Sequence, residues 1–214
     1  MKHFGLLVPA SNIVAEKELY TRLIRENIDD VYFHFARLKF QTPYGQNEEK
    51  YTKELVESIP EALAEMKRIN LCRAAVLCTS AEIYYKPQDE LIFPLTSVIA
   101  YFKMLGRKSP LVISPYNSDI GERVTQRLKI SGINIPKEFH LNIKTKEELL
   151  SFSNAKLAEM IEQELIPEID SICILCTNFS TLHLETMIEQ KFNIPFISSN
   201  RAIYEQLKHI DKNN

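Results

Sequence analysis

Two cysteines carry the chemistry that this sequence most readily suggests. Cys78 stands in Ala75-Val76-Leu77-Cys78-Thr79-Ser80, and Cys176 in Cys173-Ile174-Leu175-Cys176-Thr177-Asn178. Each ends an apolar run, is followed by threonine and leads toward an amphipathic stretch. A thiolate is a nucleophile and a base, and a helix N-terminus lowers the pKa of a thiol beside it. One such thiol can attack or deprotonate a substrate while its partner supplies the proton. A single free cysteine after a strand is ordinarily inert packing. Two of them in matched contexts argue for function.

The other two cysteines do not join this pair. Cys173 and Cys176 form a nominal C-x-x-C, but residues three apart on a strand point to opposite faces. No second C-x-x-C or spaced histidine pair completes a zinc site, so no metal is expected. Cys72 reads as packing at the entrance to a strand. His183, in the first turn of the helix expected after Cys176, reads as a solvated residue.

Alternating elements must position the pair. Candidate strands are Phe4–Val8, Val31–Leu38, Ala74–Cys78, Leu111–Ser114, Glu138–Leu141, Ser171–Cys176 and Phe196–Ile197. Helical patterns run over Ile13–Glu26, Glu48–Arg68, Pro87–Leu105, Ser118–Ile130, Ala155–Ile166, Thr181–Lys191 and Arg201–His209. This order predicts an α/β fold with a parallel sheet covered on both faces. The uninterrupted apolar runs before both cysteines fit strands buried on both sides. A weak internal repeat accompanies them. Leu6-Leu7-Val8-Pro9-Ala10-Ser11-Asn12 resembles Leu111-Val112-Ile113-Ser114-Pro115-Tyr116-Asn117, at nearly the spacing that separates the two cysteine segments. Two similar doubly wound halves follow, residues 1–109 and 110–214, with the last helix crossing back onto the first half.

Open parallel sheets bind ligands outside the carboxyl ends of their strands. The polar tips there are Pro9-Ala10-Ser11-Asn12, Cys78-Thr79-Ser80, Ser114-Pro115-Tyr116-Asn117, Cys176-Thr177-Asn178 and Ser198-Ser199-Asn200. Neutral donors and helix N-termini suit a small carboxylate. Asn12 and Asn178 are equally good helix caps, a role compatible with binding. The chain has five glycines, and none forms a G-x-G-x-x-G or a P-loop, so a nucleotide cofactor is not expected.

Composition narrows the classes further. Of 214 residues, 45% are hydrophobic, enough for a sizeable core, and the net charge is −2. No basic excess exists to neutralise phosphates, which argues against nucleic-acid and membrane partners. The apolar stretch after Met1-Lys2-His3-Phe4 is too short for a signal peptide, and no run approaches the roughly 20 residues that span a bilayer. Four cysteines do not suggest a disulfide scaffold. A soluble cytoplasmic protein is expected.

Taken together, the tips resemble the aspartate/glutamate racemase superfamily, and most closely its maleate isomerase and arylmalonate decarboxylase branch. The opening Gly5-Leu6-Leu7-Val8-Pro9-Ala10-Ser11-Asn12, with Glu16 following, is similar to that branch's first loop. Cys78-Thr79-Ser80 is similar to its first-cysteine loop, Pro115-Tyr116 to its tyrosine loop, and Leu175-Cys176-Thr177-Asn178-Phe179 with Thr181-Leu182 to its second-cysteine loop. Pro195-Phe196-Ile197-Ser198-Ser199-Asn200 is similar to its last strand and turn.

The resemblance implies two pseudo-twofold-related halves, a site in the cleft between them, and no metal, pyridoxal phosphate or nucleotide. Decarboxylase members have glycine at the first cysteine, so the pair here points to an isomerase or racemase. By likeness to maleate isomerases, Cys78 attacks the alkene and Cys176 is the proton donor or its partner. Ser11, Asn12, Thr79, Ser80, Tyr116, Asn142, Thr177, Asn178 and Asn200 hold the substrate. In racemases the two thiols instead remove and return an α-proton, and the donors stabilise the enolate.

Two features depart from the pattern. The bulky Ala81-Glu82-Ile83-Tyr84-Tyr85 replaces an expected glycine, and Arg201 replaces an expected glutamine, where it either clamps a carboxylate or faces solvent. The expectation is a cofactor-independent isomerase of maleate or a similar small mono- or dicarboxylate, working as a homodimer. The alternatives are an aspartate/glutamate or hydantoin racemase and a non-catalytic carboxylate binder.

Overall fold

Apolar and β-branched runs build two parallel sheets, seen in a computed structural model that describes residues 1–43, 45–85 and 91–210. The first sheet contains β1 (Lys2–Pro9), β2 (Val31–Leu38), β3 (Arg73–Val76) and β4 (Leu91–Ile92), in the order β2-β1-β3-β4. The second contains β5 (Pro110–Ser114), β6 (Lys137–His140), β7 (Ser171–Ile174) and β8 (Phe196–Ser198), in the order β6-β5-β7-β8. The two orders are the same, as the internal repeat predicts. The central strands β5 and β7 are buried along their whole length, because helices cover both faces.

Among the described residues the α-helices are α1 (Ala15–Arg25), α2 (Glu48–Met66), α3 (Pro94–Leu105), which links the two sheets, α4 (Ser118–Ile130), α5 (Lys146–Ser151), α6 (Asn154–Glu164), α7 (Leu182–Phe192) and α8 (Ser199–Lys208), which follows the last strand. Five of these starts carry an N-cap side chain that accepts from an orphan N–H group. Asn47 caps α2, Asn117 caps α4, Ser153 caps α6 and Ser198 caps α8. Thr145 and Glu148 form a reciprocal capping box on α5.

Three expectations need correction. The helix read over Pro87–Leu105 begins at Pro94, where proline is well placed in a first turn, and Leu91-Ile92 instead pair with Ala74-Ala75 as β4. Residues 87–90 of that reading lie outside the described residues. The short helix α5 was not anticipated. The cysteines also do not end their strands. β3 stops at Val76 and β7 at Ile174, so both thiols lie in the loops that follow.

The last helix of each sheet's set packs into the other core. Ile203, Tyr204 and Leu207 of α8 are buried among Phe4, Leu6 and Leu19 of the first half. Leu95, Val98, Tyr101 and Phe102 of α3 are buried with Leu111, Ile172 and Phe196 of the second. α3 and α8 also pack against each other.

Candidate active site

Strand order reverses between β1 and β3 in one sheet and between β5 and β7 in the other. These switch points open clefts at the carboxyl ends of the strands. The loops after β1 and β3 carry Ser11, Asn12, Cys78, Thr79 and Ser80. Those after β5 and β7 carry Tyr116, Cys176, Thr177 and Asn178. The two sets meet face to face, joined by hydrogen bonds between halves. Asn12 Nδ2 donates to Thr177 Oγ1 (3.1 Å), and Thr177 Oγ1 donates to the Leu77 carbonyl (2.7 Å). Thr79 Oγ1 donates to Ser199 Oγ (3.0 Å), and the Ile13 N–H donates to Asn178 Oδ1 (3.2 Å).

Both thiols line this junction, each 6% exposed. Cys78 Sγ lies 3.5 Å from Ser80 Oγ and accepts from the backbone N–H groups of Ser80 and Ala81. Cys176 Sγ accepts from the Asn178 N–H (3.4 Å), the Phe179 N–H and the Tyr116 hydroxyl. The sulfurs are near enough that a charge on Cys78 opposes one on Cys176.

The expectation that helix N-termini lower the thiol pKa values does not hold. Burial pushes Cys78 up, and it pushes Cys176 up to about 12, against the opposing pull of the hydrogen bonds. Desolvation of a charge outweighs a few donors at this depth. α7 also starts at Leu182, well beyond Cys176. Cys173 is fully buried in β7, and Cys72 packs partly against the first core.

The remaining candidates separate into two groups. Ser80 shares its hydroxyl with Thr52 (3.2 Å), and Ser11 lies 2.8 Å from the hydroxyl of Tyr51. Asn12 Oδ1 accepts from the N–H groups of Val14 (3.0 Å) and Ala15 (3.1 Å), so this residue caps α1 while latching the halves. Asn200 donates to Glu18 (2.9 Å) and to the Thr177 carbonyl (3.0 Å), behind the second-cysteine loop. Asn142 reaches the cluster through its backbone, whose N–H donates to the Tyr116 carbonyl (3.0 Å), and not through its side chain. It is exposed, with φ 52, and accepts from Lys144 (2.6 Å). Arg201 does not face open solvent. It pairs with Glu185 (2.7 Å) and Glu189 (2.8 Å), both on α7. His183 is exposed.

Sequence reading missed Tyr51. Its phenol, on α2, is 8% exposed and close enough to both sulfurs that a charge on either resists its ionisation, which burial already disfavours. It stays a hydroxyl donor at the junction. The site therefore offers two thiols, two phenols, hydroxyls and amides, a neutral lining that suits a small anion able to use many donors at once.

Three further contacts join the halves. Glu48 at the start of α2 accepts from the Asn117 N–H, Arg123 donates to the Tyr84 hydroxyl (2.7 Å), and Gly45 (φ 82) sits so close to the Lys144 carbonyl that a Cβ there would overlap it.

The family model described as arylmalonate decarboxylase matches residues 94–213, more than half of the chain. A maleate isomerase of Nocardia farcinica is 21% identical across 99% of this chain and 91% of its own. Among solved structures, a cysteine-to-serine mutant of the Nocardia farcinica maleate cis-trans isomerase with a covalently bound succinylcysteine intermediate superposes with a TM-score of 0.85 at 17% identity, covering 96% of this chain and 91% of that one. Arylmalonate decarboxylase itself superposes with a TM-score of 0.72 at 18% identity, over 97% and 92%. By its sequence this chain belongs to the arylmalonate decarboxylase family.

Proposed function

We propose that this protein is a cofactor-independent, two-cysteine cis-trans isomerase of maleate or a closely similar small unsaturated diacid. The observation that carries the proposal is the pair of thiols on opposing loops, each sulfur surrounded by hydrogen-bond donors. Likeness across nearly the whole chain to maleate isomerases supports it, as does the succinylcysteine held by one of them. Cys78 occupies the position where decarboxylase members are expected to have glycine, which favours isomerisation over decarboxylation.

In this mechanism the Cys78 thiolate adds to one alkene carbon. The π pair moves to the other carbon, which takes the proton of the Cys176 thiol, leaving a succinyl group on sulfur. The former double bond is now single and rotates. Cys176 then takes the proton back, the double bond re-forms, and the carbon–sulfur bond breaks to release the trans diacid. Both sulfurs return to their starting states. Ser11, Tyr51, Tyr116, Thr79, Ser80 and Asn178 hold the carboxylates and stabilise the charge that develops during addition. Asn12, Thr177 and Asn200 act mainly by fixing the loops. Asn142 has no part in the chemistry. We assign residues 1–109 and 110–214 as the two halves, and a soluble cytoplasmic homodimer as the working form.

Proton NMR in deuterated buffer tests the proposal. Maleate should give fumarate without added metal or coenzyme, and light scattering reports the assembly. Deuterium entering the α-position of aspartate or glutamate, with maleate untouched, would establish the racemase instead. Saturable maleate binding without turnover of any of these would establish the binder.

A further inference from the structure

Glu18 lies on α1, in the half that carries Cys78, and is 2% exposed. Its carboxylate accepts four hydrogen bonds, all from the other half. The donors are the Thr181 N–H (2.5 Å), the Thr181 hydroxyl (2.9 Å), the Leu182 N–H (3.0 Å) and Asn200 Nδ2 (2.9 Å). The first N–H groups of a helix have no partner inside it, and Thr181, the cap of α7, supplies none through its own side chain. Glu18 takes that place across the junction. Asn200 also donates to the Thr177 carbonyl (3.0 Å). The carboxylate therefore grips the loop that follows Cys176 at both ends, directly at Thr181 and through Asn200 at Thr177. Beside it, Arg22 of α1 pairs with Glu185 of α7 (2.6 Å), so the same helix braces α7 one turn further along.

We propose that Glu18 is a positioning residue that sets the place of the Cys176 thiol relative to Cys78, acting from the half that carries Cys78. The first-cysteine loop is held differently, its Thr79 hydroxyl donating to Ser199 of the other half (3.0 Å) and its Glu82 carboxylate accepting from the Leu95 and Thr96 N–H groups at the start of α3. Only the Leu182 N–H belongs to α7, and the other three donors belong to Thr181, the last residue of the loop, and to Asn200, which ties the loop down. The proposal rests on Cys176 being the proton-carrying thiol. A displacement of about 1 Å at such a group costs on the order of 10²-fold in rate.

The test is Glu18→Gln in the full chain, read by site-resolved alkylation with iodoacetamide and by turnover of maleate. Cys173, 0% exposed in the strand that leads into the same loop, is the internal control. Cys176 should be alkylated roughly tenfold faster in the variant or more, with Cys173 unchanged, and kcat should fall by roughly 10- to 100-fold with KM moved far less. Thr181→Val removes one donor only and should give the same pattern more weakly. It carries the test if Glu18→Gln does not fold. Equal gains in labelling at Cys176 and Cys173 would mean general loosening and overturn the proposal, as would unchanged labelling of Cys176 in the folded variant. The labelling needs no substrate. Selective exposure of Cys176 in a protein that leaves maleate untouched would uphold the positioning role and remove only the substrate assignment.

Discussion

The two cysteine loops begin from one sequence pattern and reach different local structures. After Cys78 the chain turns at once into a short 3-10 segment, Ser80–Ile83, and the N–H groups of Ser80 and Ala81 converge on the sulfur with the Ser80 hydroxyl nearby. After Cys176 it runs through Thr177–Thr181 before α7 begins, and its sulfur receives a phenol from the β5 loop as well as local N–H groups. Cys78 thus takes its donors from its own loop, whereas Cys176 adds the Tyr116 phenol to its local N–H groups, and its loop is held by Glu18 of the other half. The two halves share the position of sulfur and differ in what surrounds it. A self-contained thiol suits a nucleophile that must bond to carbon, and an externally placed one suits a proton carrier whose distance matters more than its own reactivity.

The sharpest way to break this contrast is to remove each sulfur in turn. Cys78→Ala should abolish formation of fumarate, a loss of about 10⁴-fold or more, since no other group on the loop can bond to the alkene. The vinyl proton signal of fumarate in NMR measures it. Cys176→Ser should retain addition but impair proton return, lowering kcat by roughly 10²- to 10³-fold. Intact-mass measurement should then find one maleic acid equivalent on Cys78. Equal behaviour of the two variants would erase the distinction between the loops.

A pH profile sharpens it further. Burial raises both thiols above their ordinary range, so both hold protons at neutral pH. kcat/KM should climb about tenfold per pH unit through neutrality, as the reactive thiolate becomes more populated. The same shifts have a stability sign. In the unfolded chain the thiols ionise near 9.0, and in the fold they ionise higher. The stabilisation is therefore complete below that value and is lost as pH rises toward the folded values. Thermal unfolding midpoints measured from pH 8 to 10.5 should fall accordingly, and less steeply in Cys176→Ser. The smallest effect expected is that of Tyr51→Phe, which deletes one hydroxyl from the junction. It should cost about 1 kcal/mol in transition-state stabilisation, several-fold in kcat/KM, with little change in fold.

The sequence made the tips legible because strand ends and their polar loops are local. The apolar run, the cysteine and the threonine are contiguous, and capping asparagines such as Asn117 announce their helices. Two kinds of residue escaped. Tyr51 and Glu18 lie in helices α2 and α1, where a tyrosine on a buried face reads as core and a glutamate near a helix start reads as a solvated first-turn charge. Only the meeting of the two halves gives either one a role. β4 escaped for a related reason. Two residues, Leu91 and Ile92, are too few to show a period, and their pairing with Ala74 and Ala75 is non-local. Arg201 was ambiguous because its partners, Glu185 and Glu189, sit on a different helix.

The exchange of α3 and α8 between cores has a consequence for how the molecule comes apart. Removing residues 110–214 would strip Ile203, Tyr204 and Leu207 from the first core and leave α3 with its apolar face in water. Neither fragment can bury its own surface, so neither should be stable alone, although the two expressed together could recombine. Denaturant should therefore meet a single cooperative transition instead of two. A protein built from two like sheets should melt as one.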